Sequence, residues 1–294
     1  MNGAALTVPR PVAAGFALVA LVALVVLTGC KPTDDQSAAA VPAPVSASAS
    51  APVAEPTAGL ATAGEQATAG EQAAAGEQAA AGELAAAAAR LGTGTLRVHS
   101  SVEGEMSLTG VVDPTAQNAE LKMDMGAVDD GTQADIRKVG DDVWVRLRGP
   151  LGDLAGTGRQ WLHLDAAQMT PASSLAVIPG NDPAGALALA RAVTRVRRVG
   201  PYGFAGTVDL TRTPKYSPAT LRALGVKAAA VPFTARTDRQ GRLVQLTVDM
   251  SAIASGAGKA NTWFSDFGVD VDVTRPPADE TTELPEDLRS AINA

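Results

Sequence analysis

The chain has one cysteine, Cys30, so no disulfide can form within it and a small disulfide-stapled scaffold is excluded. Two histidines, His99 and His163, with no second cysteine leave little material for a zinc site, and neither metal nor cofactor is expected. Positive charge is also short: 24 Lys and Arg face 31 Asp and Glu, a formal net charge of −7. Such a chain offers no basic field to phosphates, which argues against a nucleic-acid binder. Aromatics are scarce. Three Trp, two Tyr and five Phe occur in 294 residues, and before Trp144 there is only Phe16. A packed core is therefore expected late in the chain, as one folded domain of about 200 residues.

What the N-terminus does have is an address. Arg10 precedes an uncharged apolar run from Val12 to Leu27, followed by small residues at Thr28-Gly29 and then Cys30. This is the layout of a secretory signal, and sixteen apolar residues fall just short of the roughly 17 to 25 that span hydrocarbon. Leu27-Thr28-Gly29-Cys30 resembles the bacterial lipobox. That resemblance implies a signal peptide over 1–29 and lipid attachment at Cys30, with the protein held by acyl chains on the extracytoplasmic side of the cell membrane. Two or three chains suffice for stable anchoring, since each buried methylene contributes about 0.8 kcal/mol.

Residues 30–91 read as a disordered tether. Ala, Pro, Ser, Val and Thr dominate 31–60, a composition that cannot bury enough apolar surface to offset ordering entropy. A hexapeptide repeat follows: 61–66, 67–72, 73–78 and 79–84, the last copy carrying Leu84 where the others carry Gln. Six residues match neither a heptad nor a solenoid unit. The Gly in each copy costs about 1 kcal/mol relative to Ala, so at most a fraying helix is expected.

Folding is expected over 92–278, with an acidic C-terminal tail at 279–294. From Thr95 apolar residues alternate with polar ones, as in half-buried strands. Leu96 and Val98, Met106 and Leu108, Leu121 and Met123, then Val143, Val145 and Leu147 form successive inward sets. Trp161–Asp165 continues the series. Asp182, Pro183, Leu189, Val193, Val196 and Gly200 have the spacing of a capped helix that stops at the glycine. Strands around Phe204 and Val208, a short helix opened by Ser217-Pro218 and a hairpin from Val231 to Met250 come next. That hairpin's returning inner face is read as Val244, Leu246, Val248 and Met250. A final strand over Thr262–Thr274 is read with Trp263 and Phe267 on its apolar face. Many strands with few helices and no β-α-β alternation give an antiparallel α+β fold.

The lipobox, the meandering strands, Val143-Trp-Val-Arg-Leu147 with Trp161-Leu-His-Leu-Asp165, and the closing run from Phe264 to Pro277 resemble the actinobacterial LppX/LprG-type lipoproteins of LolA-like fold. The resemblance implies a curved antiparallel half-barrel with helices over its concave face. It also implies an apolar cavity for acyl lipids or glycolipids, with transfer as a further step. Leu96, Val98, Met106, Leu108, Leu121, Met123, Val143, Val145, Leu147, Leu189 and Val193 are the expected lining. Flexible, Met-rich aliphatic walls suit methylene chains. The alternative is a solid core in a tethered interaction protein with an unidentified protein partner.

Catalysis is not expected. His99 and His163 alternate outward, Ser100 and Ser101 point to opposite faces, and no phosphate-cradling loop occurs. Asp266, Asp270 and Asp272 read as a solvated face rather than a calcium site. Arg191, Arg195 and Arg198 recur at helical spacing, where an anionic headgroup could rest.

Overall fold

The computed structural model describes residues 63–103, 106–126, 131–154, 160–169, 182–213, 221–222, 224–253, 258–286 and 289. The signal segment, Cys30, the tether up to residue 62 and the Ser217-Pro218 helix start lie outside the described residues. The protein is mixed α+β, dominated by one large open antiparallel sheet with few helices. Its strands are β1 (Leu96–Val102), β2 (Met106–Asp113), β3 (Asn118–Asp124), β4 (Gln133–Val139), β5 (Asp142–Arg148) and β6 (Trp161–Asp165). The second half adds β7 (Val193–Val199), β8 (Gly203–Val208), β9 (Val231–Thr237), β10 (Leu243–Asp249), β11 (Lys259–Ser265) and β12 (Thr281–Glu283). The helices with defined bounds are α1 (Ala63–Ala89), α2 (Pro150–Leu154) and α3 (Ala186–Arg191); Leu221, Arg222, Leu224, Glu286 and Arg289 are also helical, and short 3-10 turns complete the set.

The strand order is β12-β6-β5-β4-β3-β2-β1-β11-β10-β9-β8-β7. Two meanders, β1 to β6 and β7 to β11, thus lie side by side and join where β1 pairs with β11. Register decides which side chains share a face: Leu96 lies opposite Val112, Leu108 opposite Met123, and Ile136 opposite Val145. These residues line one apolar face, as the period-two alternation predicts.

Five expectations are corrected. The repeat segment belongs to the fold rather than to a disordered tether: 63–89 is helical, and Ala80, Leu84, Ala87 and Ala88 are buried, followed by Leu91 in a 3-10 turn. Their spacing of four, three and one puts them along one side of the helix. Glu77 and Glu83 add polar contacts: a Glu77 carboxylate oxygen accepts from the Val196 N–H at 3.0 Å, and Glu83 pairs with Arg198. Val196 sits on edge strand β7, so Glu77 also shields an edge donor that another chain could otherwise pair with.

The helix expected across Asp182–Gly200 stops at Arg191, and Val193–Val199 is a strand. Val193 and Val196 fit either period. Four β-branched residues in seven, and the partner offered by β8, favour the strand.

The final strand ends at Ser265. Asp266 and Gly268 take positive φ (49° and 86°), which breaks the run to Thr274 and turns the chain onto the opposite face of the sheet. On β11 it is Phe264 that reaches the apolar face, opposite Val98, while Trp263 lies opposite His99. In β10 an irregularity between Leu243 and Gln245 shifts the phase, so Leu243 rather than Val244 is buried.

The acidic tail is not free from residue 279 onward. Thr281–Glu283 pairs with β6 in parallel, and Leu284 is buried beyond it. The strand is only three residues long, and nothing in its composition marks it.

Candidate functional site

The eleven residues expected to line a cavity fall in one apolar cluster. Leu96, Val98, Leu108, Leu121, Met123, Val143 and Val145 are buried; Met106, Leu147, Leu189 and Val193 are partly buried against them. Burial is graded along strands of the first meander. On β5 it runs from Val143 (0% exposed) through Val145 (6%) to partly buried Leu147. On β3, Ala119, Leu121 and Met123 are buried, and Met125 just beyond the strand is only partly so. Leu96, Val143, Leu164 and Phe264 therefore mark a closed end, while Met106, Met125, Leu147, Met250 and Ile253 mark a half-buried, Met-rich end.

Two polar features interrupt this face. Ser100 and Thr262 pair across β1 and β11, their hydroxyls 3.0 Å apart. Ser100 occupies the gap in the Leu96, Val98, Val102 series, so its position was legible although its partner was not. Lys138 is buried at the closed end, in line with Ala134 and Ile136. Its Nζ donates to Gln117 O at 3.3 Å and to Gly140 O, tying together the turns that precede β3 and β5. Burial lowers its pKa from 10.5, and the charge of Asp141 opposes that shift.

The three arginines read as a headgroup cluster do not form one. Arg191 ends α3, whereas Arg195 and Arg198 lie on β7, whose side chains alternate. Arg198 is already engaged with Glu83, the carbonyl of Pro201 and the Phe204 ring.

The opposite face is knit by cations and aromatics. Trp161 is buried beneath Arg137 and Arg146, whose guanidinium carbons lie 5.0 and 4.3 Å from its ring centroid. The segment after β11 is held by Arg97 to Asp266 (2.8 Å), Arg242 over Phe267 (4.1 Å) and Arg275 to Asp142 (2.8 Å).

His163 lies on this face between Asp142 (2.9 Å) and Glu283 (2.8 Å), beside Trp144. Both ring nitrogens are used, so none remains for a substrate. Burial alone would lower its pKa, but hydrogen bonds to Asp142 and Glu283, and their charges, outweigh that and raise it above 6.5. A raised folded pKa means the stabilisation is full below about 6.5 and is lost as pH rises through the folded value. The wild-type urea midpoint minus that of His163→Gln is therefore expected to shrink as pH rises through this window. A difference independent of pH would show that the clasp does not depend on the imidazolium.

His99 Nδ1 lies 2.7 Å from Thr109 Oγ1, with Trp263 stacked on the ring at 5.2 Å. Among the described residues no carboxylate orients its second nitrogen, so the pair lacks the third member of a triad. No three metal-ligating side chains gather among the described residues. No described helix is long and apolar enough to cross a membrane. Neither a protein-family model nor a curated protein matches this chain.

Proposed function

We propose that the protein is an extracytoplasmic lipoprotein, anchored in the cell membrane through acylated Cys30, that binds acyl lipids or glycolipids and passes them on without covalent catalysis. In this reading the sheet curls as a half-barrel around an apolar cavity. The observation that carries it is the graded apolar face: all eleven expected residues share one cluster, sealed at the Leu96 end and half-buried at the Met106 end. Acyl tails would enter past Met106, Met125 and Met250, whose unbranched thioethers adapt to a sliding methylene chain. Each methylene removed from water contributes about 0.8 kcal/mol, enough for a single tail to compete with a bilayer.

Native mass spectrometry of the full chain recovered from the cell envelope is expected to show discrete adducts of acyl-lipid mass. Val145→Trp, which enlarges a side chain midway along the face, should reduce occupancy at least tenfold while thermal unfolding stays cooperative. A clean apo mass with no uptake of added phospholipid or glycolipid would overturn the reading in favour of a solid core. Cys30→Ser is expected to release the protein from the membrane after signal cleavage, and continued retention would remove the anchor.

A further inference from the structure

Three loops meet at one corner of the sheet, at the end of the strands that carries Met250. Val193 at the start of β7 lies opposite Val208 at the end of β8, which lies opposite Val231 at the start of β9. Asp209 N donates to Ala192 O at 2.9 Å, and the 3-10 turn Leu210–Arg212 packs against the turn Gly225–Ala230. The corner presents Arg191, Arg212 and Lys227, all exposed. Among the described residues none of the three enters an ion pair. The carboxylate nearest them in sequence, Asp209, accepts from the backbone N–H and the hydroxyl of Thr211.

Between Gly225 and Lys227 stands Val226, 93% exposed, against 47% for Val199 and 40% for Tyr202, the other exposed large apolar residues among those described. An apolar tip on a corner that carries unpaired cations matches a lipid headgroup layer, where phosphates meet the cations and the valine leaves water. The chain as a whole carries −7, so an anionic surface repels it in most orientations and admits this corner preferentially.

The course of α1 agrees. Glu83 meets Arg198 and Glu77 meets Val196, so the helix runs beside β7 in the same direction. Followed back from Glu77 to Ala63, it runs about 20 Å and so extends about 10 Å past this corner, because β7 starts three residues before Val196. The segment leading back to Cys30 therefore leaves the domain at the end that carries Val226.

We propose that this corner docks the domain on the surface of an anionic phospholipid bilayer, with Val226 entering the headgroup layer and Arg191, Arg212 and Lys227 engaging phosphates. The docking stands on these residues alone; its use in lipid exchange rests on the function proposed above.

The test uses the full chain carrying Cys30→Ser and one new thiol, Val226→Cys or Val199→Cys, labelled with an environment-sensitive nitrobenzoxadiazole fluorophore. The N-terminal apolar segment is the same in both, so only the domain's orientation distinguishes them. With phosphatidylglycerol/phosphatidylcholine vesicles containing brominated lipid, the probe at 226 is expected to shift to the blue and be quenched, and the probe at 199 is not. Replacing Arg191, Arg212 and Lys227 together by Glu should weaken the response at 226 at least tenfold. Equal quenching at both positions, an unchanged response in the triple variant, or the same response on pure phosphatidylcholine would overturn the proposal. Docking without lipid adducts would remove the cavity and leave this surface; adducts without docking would do the reverse.

Discussion

Leu84→Gln is expected to free the C-terminal turns of α1 from the sheet. The substitution restores the fourth repeat copy to the pattern of the first three. Leu84 is 2% exposed and is the only large apolar side chain in the repeats, so replacing it removes a buried apolar group and inserts an amide with no assigned partner. Truncations at such sites cost about 2 to 5 kcal/mol, and a buried unpaired amide adds about 1 to 3. Four glycines in the repeats leave the helix little stability of its own, so undocking should also unwind it. The expected readout is a lower urea midpoint together with rapid proteolysis within 63–89. Glu77 and Glu83 would lose their partners, leaving the Val196 N–H open to pairing with another chain. An unchanged midpoint and unchanged protease resistance would show that the helix is not part of the domain's core.

Gly110→Val is expected to prevent β2 and β3 from pairing at the centre of the first meander. A Cβ at position 110 would lie 2.0 Å from Glu120 O and 2.8 Å from Leu121 Cα, both backbone atoms that cannot rotate away. Leu121 already leans over the glycine, its Cδ2 at 2.8 Å from that position. The strands must separate, a loss of more than about 4 kcal/mol in the class of severe core overpacking. Soluble yield should collapse in Gly110→Val while Thr109→Val, on the exposed neighbouring position, is tolerated. Wild-type unfolding behaviour in Gly110→Val would mean that β2 and β3 are not registered as described.

The contents of the apolar face were legible where one period dominates. Along β1 to β5 the inward positions are aliphatic or Met except at Ser100, Gly110 and Lys138, so within each strand burial followed from parity. Lys138 obeyed the same parity, and only its charge concealed that it is buried. Legibility failed where local patterns were ambiguous or weak. Val193 and Val196 satisfy helix and strand alike, and the choice was made by a partner strand that begins ten residues later. The repeats favour a helix only marginally, and one Leu in four copies supplies their only large apolar contact. Asp266 adopts a left-handed backbone without being glycine, a conformation that composition does not announce. The corner around Val226 was invisible for another reason: its three cations come from separate loops and converge only through the ends of β7, β8 and β9.

The seam between β1 and β11 also sets an order of assembly. Each strand from β1 to β6 pairs with its sequence neighbour, so the first meander can form while the rest of the chain is still being delivered. The free edge of β1 must then wait for residues 259–265, more than 150 positions later, to arrive with Phe264 and Trp263. Closing so long a loop is slow, and until it happens an unpaired apolar strand is exposed to association with other copies. The interval before that seam zips is thus the period in which the newly made chain most needs a chaperone and, on the lipid-binding function proposed above, also the one in which a first lipid could reach the apolar face without passing its rim.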